Sequence, residues 1–225
     1  MRISNLFYLI PALLSLLLLL FNFRLEDVLL LAVIAEAVFL FSLYVSKFVA
    51  RNIFRKFVHI AGVIIFIYFL LLELERLPLT VISFSIFVLS AVAHYKPRIF
   101  PKSIKNLAEE GIMNILQFWI AVLILLLFMP YRFIIISLLA FLGDTAAYFV
   151  GTKFGRTRVN GKTLEGSSAF FIVAFLLIFI FTNNLLLSLT AAIVAAIVEL
   201  FTKKIDDNFT VPVVVAVFAY AVSLV

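Results

Sequence analysis

Apolar residues run through this chain in long blocks, separated by short polar segments. A helix needs about 20 apolar residues to cross a bilayer, with a range of roughly 17–25. Nine stretches approach that length: about 5–22, 28–48, 57–73, 78–94, 111–129, 132–150, 168–183, 185–201 and 210–225. The breaks at Arg24–Asp27, Glu73–Pro78, Met129–Arg132 and Thr182–Asn184 are tight, as between antiparallel neighbours. The pattern predicts an all-α fold, a polytopic integral membrane helical bundle of about nine transmembrane helices. Residues 1–225 form a single membrane domain in this reading, with two N-terminal helices within 1–50. Leu6–Phe21 is long for a signal-peptide core, and Phe21-Asn22-Phe23 offers no small-residue cleavage site. The first block therefore reads as an uncleaved helix. The last is short and opens near Pro212, as a tilted or dipping segment would.

Composition strengthens the membrane reading. Hydrophobic residues make up 66% of the chain and charged ones 13%, with a mean hydropathy of +1.26. Soluble domains carry roughly 45–50% apolar and about 25% charged residues. A disordered chain and a nucleic-acid-binding tail are excluded. No cysteine is present and only two histidines, which removes disulfides, thiolate metal sites and thiol catalysis.

The net charge of +6 divides unevenly between the loops on the two sides of nine spans. Arg2, Lys47, Arg51, Arg55, Lys56, Lys96, Arg98, Lys102, Lys105, Lys153, Arg156, Arg158, Lys162, Lys203 and Lys204 fall on one side. Only Arg24, Arg76 and Arg132 fall on the other. The positive-inside rule places the first set, and the N-terminus, in the cytoplasm. The C-terminus is then outside if the ninth span crosses. All the longer polar segments (47–56, 95–110, 151–167 and 202–209) share the cytoplasmic side. That one-sidedness suits an enzyme acting on a lipid from the cytosol better than a transporter. No internal repeat is visible either, and many transporter folds are built from inverted repeats.

Polar residues near the bilayer are costly and mark candidate sites. Asp144 follows Gly143 in the apolar run 133–150, and shares a helical face with Ala147 and Gly151. Small residues there admit another backbone or a phosphate. The plainer reading of Asp144 is a carboxylate paired with a neighbouring helix. The segment from Gly151 to Ser168 holds four of the seven glycines, four cations and five hydroxyl side chains. Glycines free backbone N–H groups for an anion, cations neutralise phosphate, and a helix start at Ser167-Ser168 adds a positive dipole end. Lys153, Gly155, Lys162, Thr163, Glu165 and Gly166 are its candidate residues. Gly161-Lys162-Thr163 resembles the end of a P-loop, but Arg156 breaks that pattern. A basic loop on anionic lipid explains the cations but not the glycines or Glu165.

Arg51, Arg55 and His59 share a second helical face, with Lys56 beside them. They suit either a phosphate or ordinary juxtamembrane anchoring. Glu199, Asp206, Asp207 and Asn208 form a third group before Pro212. Carboxylates with an amide suit a hard cation such as Mg²⁺, while a helix stop explains the same residues. Glu36, Glu109-Glu110 and His94 are weaker candidates.

In order along the chain stand Arg55-Lys56-x-x-His59, Gly143-Asp144-Thr145-Ala146-Ala147, Gly151-x-x-x-Gly155, Lys162-Thr163-x-Glu165-Gly166-Ser167 and Asp207-Asn208-x-x-x-Pro212. Together they resemble the dolichol kinase and phytol kinase group of membrane enzymes. That group lies within the CTP-using superfamily that includes phosphatidate cytidylyltransferases. The likeness covers about residues 51–212. It implies transfer of the terminal phosphate of CTP to the hydroxyl of a long isoprenoid alcohol, with Mg²⁺. Lys162, Arg55, Lys56 and the glycine segment would then hold phosphates, with His59 close by. Asp207, Asn208 and Glu199 would hold the metal, and Asp144 would act as base or as a further ligand. Its partners would be CTP, the isoprenoid alcohol and membrane lipids, in a monomer or an oligomer. A cytidylyltransferase making a CDP-activated lipid is the nearest alternative, and a transporter or non-enzymatic scaffold the next.

Overall fold

The computed structural model describes residues 51–73, 75–95, 102–202 and 206–224. The two expected N-terminal helices, Glu36, and the cations Lys96, Arg98, Lys203 and Lys204 lie outside them. Helices dominate the described chain: α1 Arg51–Leu71, α2 Arg76–Tyr95, α3 Lys102–Phe128, α4 Tyr131–Phe141, α5 Gly143–Phe154, α6 Leu164–Thr182, α7 Leu185–Phe201 and α8 Asp207–Val222. Each of the seven apolar stretches expected between 57 and 225 overlaps one of these helices or, for 132–150, a consecutive pair; the stretches 57–73, 111–129, 168–183 and 210–225 run past their helix ends at Leu71, Phe128, Thr182 and Val222.

Only two helical runs among the described residues are long and apolar enough to cross a membrane. They are Tyr131–Phe154 and Leu164–Thr182. The apolar parts of α1, α2, α3, α7 and α8 are shorter, at 10–17 residues. Length and composition thus support two spans directly, not seven.

The helices sort into two compact units, one drawn from Met1–Ala61 and Ser85–Met113, the other from Gly62–Phe84 and Asn114–Val225. In the first, the described residues are the adjoining ends of α1, α2 and α3. The second holds the rest. Within it α5 packs on α6, α6 on α7, and α8 on both α4 and α7.

On α7 and α8 of this second unit, small residues face the interior and several large ones face out. On α7 Ala191, Ala192 and Ala195 are buried together with Leu187, Ser188 and Glu199, while Leu186, Leu189, Ile193 and Ile197 are exposed. On α8 Val211, Val215, Ala216 and Ala219 are buried, and Val214 and Val217 face out. On α6 Ile172, Leu176 and Ile180 point outward, and Ile180 is 78% exposed. Small residues at interfaces let helix backbones approach where lipid removes the usual hydrophobic drive. The deep core is aliphatic and aromatic, with Phe141 and Phe170 fully buried and Phe141 stacked on Phe118 at 5.3 Å.

Three local features depart from the sequence reading. First, the run 132–150 is two helices meeting at Leu142, where Thr145 N–H bonds the Leu142 carbonyl at 3.3 Å. Gly143 sits at the join because a Cβ there would lie 2.8 Å from the Phe170 carbonyl oxygen of α6. Second, the all-α fold carries a short hairpin. Arg158–Val159 and Lys162–Thr163 pair as an antiparallel hairpin. Its turn is Asn160-Gly161, with φ of 54° and 88°. Both central residues at positive φ suit the two-residue turn that Asn-Gly favours. Third, α6 begins at Leu164, capped by the Thr163 side chain, rather than at Ser167-Ser168.

Candidate functional site

Lys162 is the hub of the site. The hairpin delivers its ammonium to the C-terminal end of α7 and the N-terminal end of α8. Nζ lies 2.7 Å from Glu199 Oε1 and 2.5 Å from Asp207 Oδ2. Glu199 is buried, with 3% exposure. Its other oxygen accepts from Ser167 Oγ at 2.8 Å. Four elements therefore meet here: the hairpin, the first turn of α6, the end of α7 and the start of α8.

Local sequence fixes each arm. Asp206 caps α8 by accepting from Asn208 N–H at 2.9 Å. Asn208 Nδ2 also donates to Asp206 Oδ1 and, at 3.2 Å, to Asp207 Oδ1. Asp206 N–H donates to Gln117 Oε1 of α3 at 3.1 Å. Gln117 is a member of this network that the sequence reading missed. Nothing in the local pattern of α3 marks it, because its partner lies far along the chain. Pro212 sits inside α8 without a backbone N–H. It therefore withholds the helical bond that the Asn208 carbonyl would ordinarily receive.

The base of the hairpin is tied to α6. Leu164 N–H donates to the Thr157 carbonyl at 2.9 Å, and Thr157 N–H donates to Glu165 Oε1 at 3.2 Å. Glu165 thus braces the hairpin, and its backbone amide partner is Thr157 rather than an open loop.

The glycines serve a helix crossing. Gly151 lies inside α5 and Gly166 inside α6. A Cβ on Gly151 would stand 2.8 Å from Thr163 Oγ1, and one on Gly166 2.9 Å from the Ala147 carbonyl oxygen. Gly155 presses against the Gly151 carbonyl and the Thr163 methyl, leaving no room for a side chain. Its N–H bonds Gly151 O at 3.1 Å, and Gly166 N–H bonds Thr163 Oγ1 at 3.2 Å. Of the two readings for small residues here, backbone approach is the one seen. The amides at 155 and 166 are taken by these bonds rather than aimed at an anion.

Electrostatics follow from this burial. Desolvation pushes the Lys162 ammonium toward losing its proton, but Asp207 and Glu199 outweigh it and hold its pKa above the usual 10.5. Burial raises the Asp206 carboxyl above 3.8 against the bonds from Asn208, and neighbouring Asp207 adds to the rise.

The remaining candidates are placed as follows. Asp144 is half-buried in the first turn of α5, where a carboxylate suits the helix dipole. Lys153 is exposed in the last turn of α5, with its ammonium 5.3 Å from the Phe154 ring centroid. Lys56 is buried and His59 half-buried on α1, in the first unit; the Arg55 and Glu109-Glu110 side chains lie outside the described set.

Among the described residues, no three His, Cys, Asp or Glu side chains gather as a metal cage. Glu199, Asp207 and Asn208 do converge, with Lys162 Nζ against both carboxylates. Carboxylates are the donors Mg²⁺ takes; here the Glu199 and Asp207 oxygens accept from Lys162 Nζ, Ser167 Oγ and Asn208 Nδ2. The four-residue metal set expected from sequence, which added Asp144, is not assembled as a cage.

No protein-family model matches the chain. No solved structure is similar to it. An uncharacterized protein of the archaeon Methanocaldococcus jannaschii is 34% identical over 118 residues, covering 50% of this chain and 60% of that protein. The chain therefore matches only about three fifths of that relative's length.

Proposed function

We propose that this protein is a membrane lipid kinase that transfers the terminal phosphate of CTP to the hydroxyl of a polyprenol or dolichol-type alcohol. The observation that carries the reading is the Lys162–Glu199–Asp207 cluster. It joins Lys162 and Asp207, from separate motifs of the resemblance, with the buried Glu199 at one end of the helices. Phosphoryl transfer needs positioning and charge neutralisation more than covalent chemistry. Lys162 would bind the terminal phosphates, and Ser167 would hold Glu199 in orientation. Glu199, Asp207 and Asn208 would hold Mg²⁺, which when bound supplies further neutralisation of phosphate charge. In the transfer, the alcohol oxygen bonds the terminal phosphorus, the bridging P–O bond breaks, CDP leaves, and the hydroxyl proton passes to a carboxylate. Asp144 serves as that base or supports the metal.

The membrane topology belongs to the same proposal. The exposed apolar faces of α6, α7 and α8 would meet lipid, since soluble proteins rarely expose contiguous apolar patches of that extent. Nine crossings place the N-terminus and the Lys162 end in the cytoplasm with CTP, and the C-terminus outside.

The test uses purified protein in detergent with Mg²⁺, a polyprenol, and CTP labelled on either the terminal or the first phosphate. Transfer of the terminal label to the lipid is the expected result. Transfer of only the first label, once a phosphorylated lipid is supplied, would mean a cytidylyltransferase. Transfer of neither, across a panel of alcohols and nucleotides, would overturn the enzyme reading.

A further inference from the structure

A cavity of about 470 Å³ lies at the other end of the second unit. It opens where the turn between α1 and α2 meets the turn between α3 and α4. Leu70, Glu73, Arg76, Tyr131, Arg132 and Phe181 are among its lining residues. Phe181 is in the last turn of α6, while Ser167 of the Lys162 cluster is in its first turn. At 1.5 Å per residue the two sites stand roughly 20 Å apart.

The cations of this cavity are held in distinct ways. Arg76 Nη1 donates to the Leu126 carbonyl at 3.0 Å, and its guanidinium lies 5.3 Å from the Tyr131 ring centroid. These contacts fix its plane at the cavity wall. Arg132 is exposed and, among the described residues, makes no ion pair. The lining holds two guanidiniums and one carboxylate, Glu73, and Glu75, exposed on the same turn, lies near enough to act electrostatically on Tyr131. Pro130 gives α4 no side-chain cap, so the first amides of that helix lie at the same rim.

Charge distribution sharpens the point. The side of the bundle that holds these turns carries only three cations by sequence, and two of them line this cavity. A guanidinium matches phosphate oxygens in geometry and charge. The lining also carries the apolar side chains of Leu70, Leu71, Ile135 and Phe181. A ligand that is anionic at its head and apolar below fits both halves. We infer that this cavity binds the phosphodiester head group of a membrane lipid. The site is independent of the Lys162 cluster and of the reaction proposed there.

The test is calorimetric titration of the full chain in an uncharged maltoside detergent. The probes are dihexanoyl phosphatidylglycerol, inorganic phosphate and dihexanoylglycerol. Saturable binding of the phosphatidylglycerol is expected, with weaker binding of phosphate and none of dihexanoylglycerol. Arg132→Gln should weaken phosphatidylglycerol binding at least tenfold, and Arg132→Lys less. Because Arg132 is exposed, both variants should melt as the wild type does. Phosphate binding as tight as phosphatidylglycerol binding, and equally dependent on Arg132, would replace the lipid with a free anion as the ligand. Phosphatidylglycerol binding that Arg132→Gln leaves unchanged, or no saturable binding at all, would overturn the site.

Discussion

Lys162 Nζ lies 2.7 Å from Oε1 of Glu199, a carboxylate with 3% exposure. A buried carboxylate left without its cation is strongly penalised, because neither water nor protein then compensates its charge. Lys162→Met should therefore destabilise the fold by about 3 kcal/mol, the low end for breaking a buried pair, since Lys162 is itself partly exposed. The double variant Lys162→Met, Glu199→Gln should recover most of that loss. Thermal unfolding in detergent, read by circular dichroism, checks both.

The glycines separate by what surrounds them. Gly166→Ala forces a Cβ against the Ala147 carbonyl and Thr163, and should cost about 1–3 kcal/mol, as overpacking typically does. Gly62 has open space around its Cβ position within α1. Gly62→Ala should stabilise by up to about 1 kcal/mol, the usual helix-interior difference. Melting temperatures moving in opposite directions would bear this out.

At the hairpin turn, Gly161 has φ of +88° and nothing within 4 Å of its Cβ position. Strain, not crowding, decides the outcome there. Gly161→Val should cost about 1–2 kcal/mol through its left-handed backbone. It should also lower Lys162-dependent activity by disordering the strand that carries it. Hydrogen exchange of the Arg158–Thr163 amides gives a direct readout.

The pH dependence has two signed components. Lys162 has a raised pKa, so its contribution is fully present below about 10.5 and is lost as pH rises through its folded value. Asp206 is also raised, so between 3.8 and its folded value the folded state keeps a proton that the unfolded chain releases. Stability from this group therefore falls as pH rises across that interval. Asp206→Asn keeps a capping side chain and should flatten the slope on that acidic limb of the melting profile.

Much of this arrangement was readable from residue order. The apolar blocks between 57 and 225 are helices because length and uniform hydrophobicity leave few alternatives. Lys162, Ser167, Glu199, Asp207 and Asn208 were all singled out before their proximity was known. Their pairing was not readable, since residue order alone does not say which helix ends meet. The hairpin was legible in Asn160-Gly161, flanked by Val159 and Lys162, but four nearby glycines suggested a loop. Two of them, Gly151 and Gly166, proved to be sites of close helix approach. That distinction depends on the partner backbone, Ala147 against Gly166, which is set by tertiary packing.

The central claim is that the Lys162 cluster handles the terminal phosphate of CTP. Single-turnover transfer of that labelled phosphate to a polyprenol should be compared for the wild type, Lys162→Arg and Lys162→Met, with each variant's folding checked in parallel. Rapid transfer is expected of the wild type, reduced transfer of Lys162→Arg, and at least a hundredfold loss in folded Lys162→Met. Equal transfer by folded Lys162→Met and wild type would contradict it.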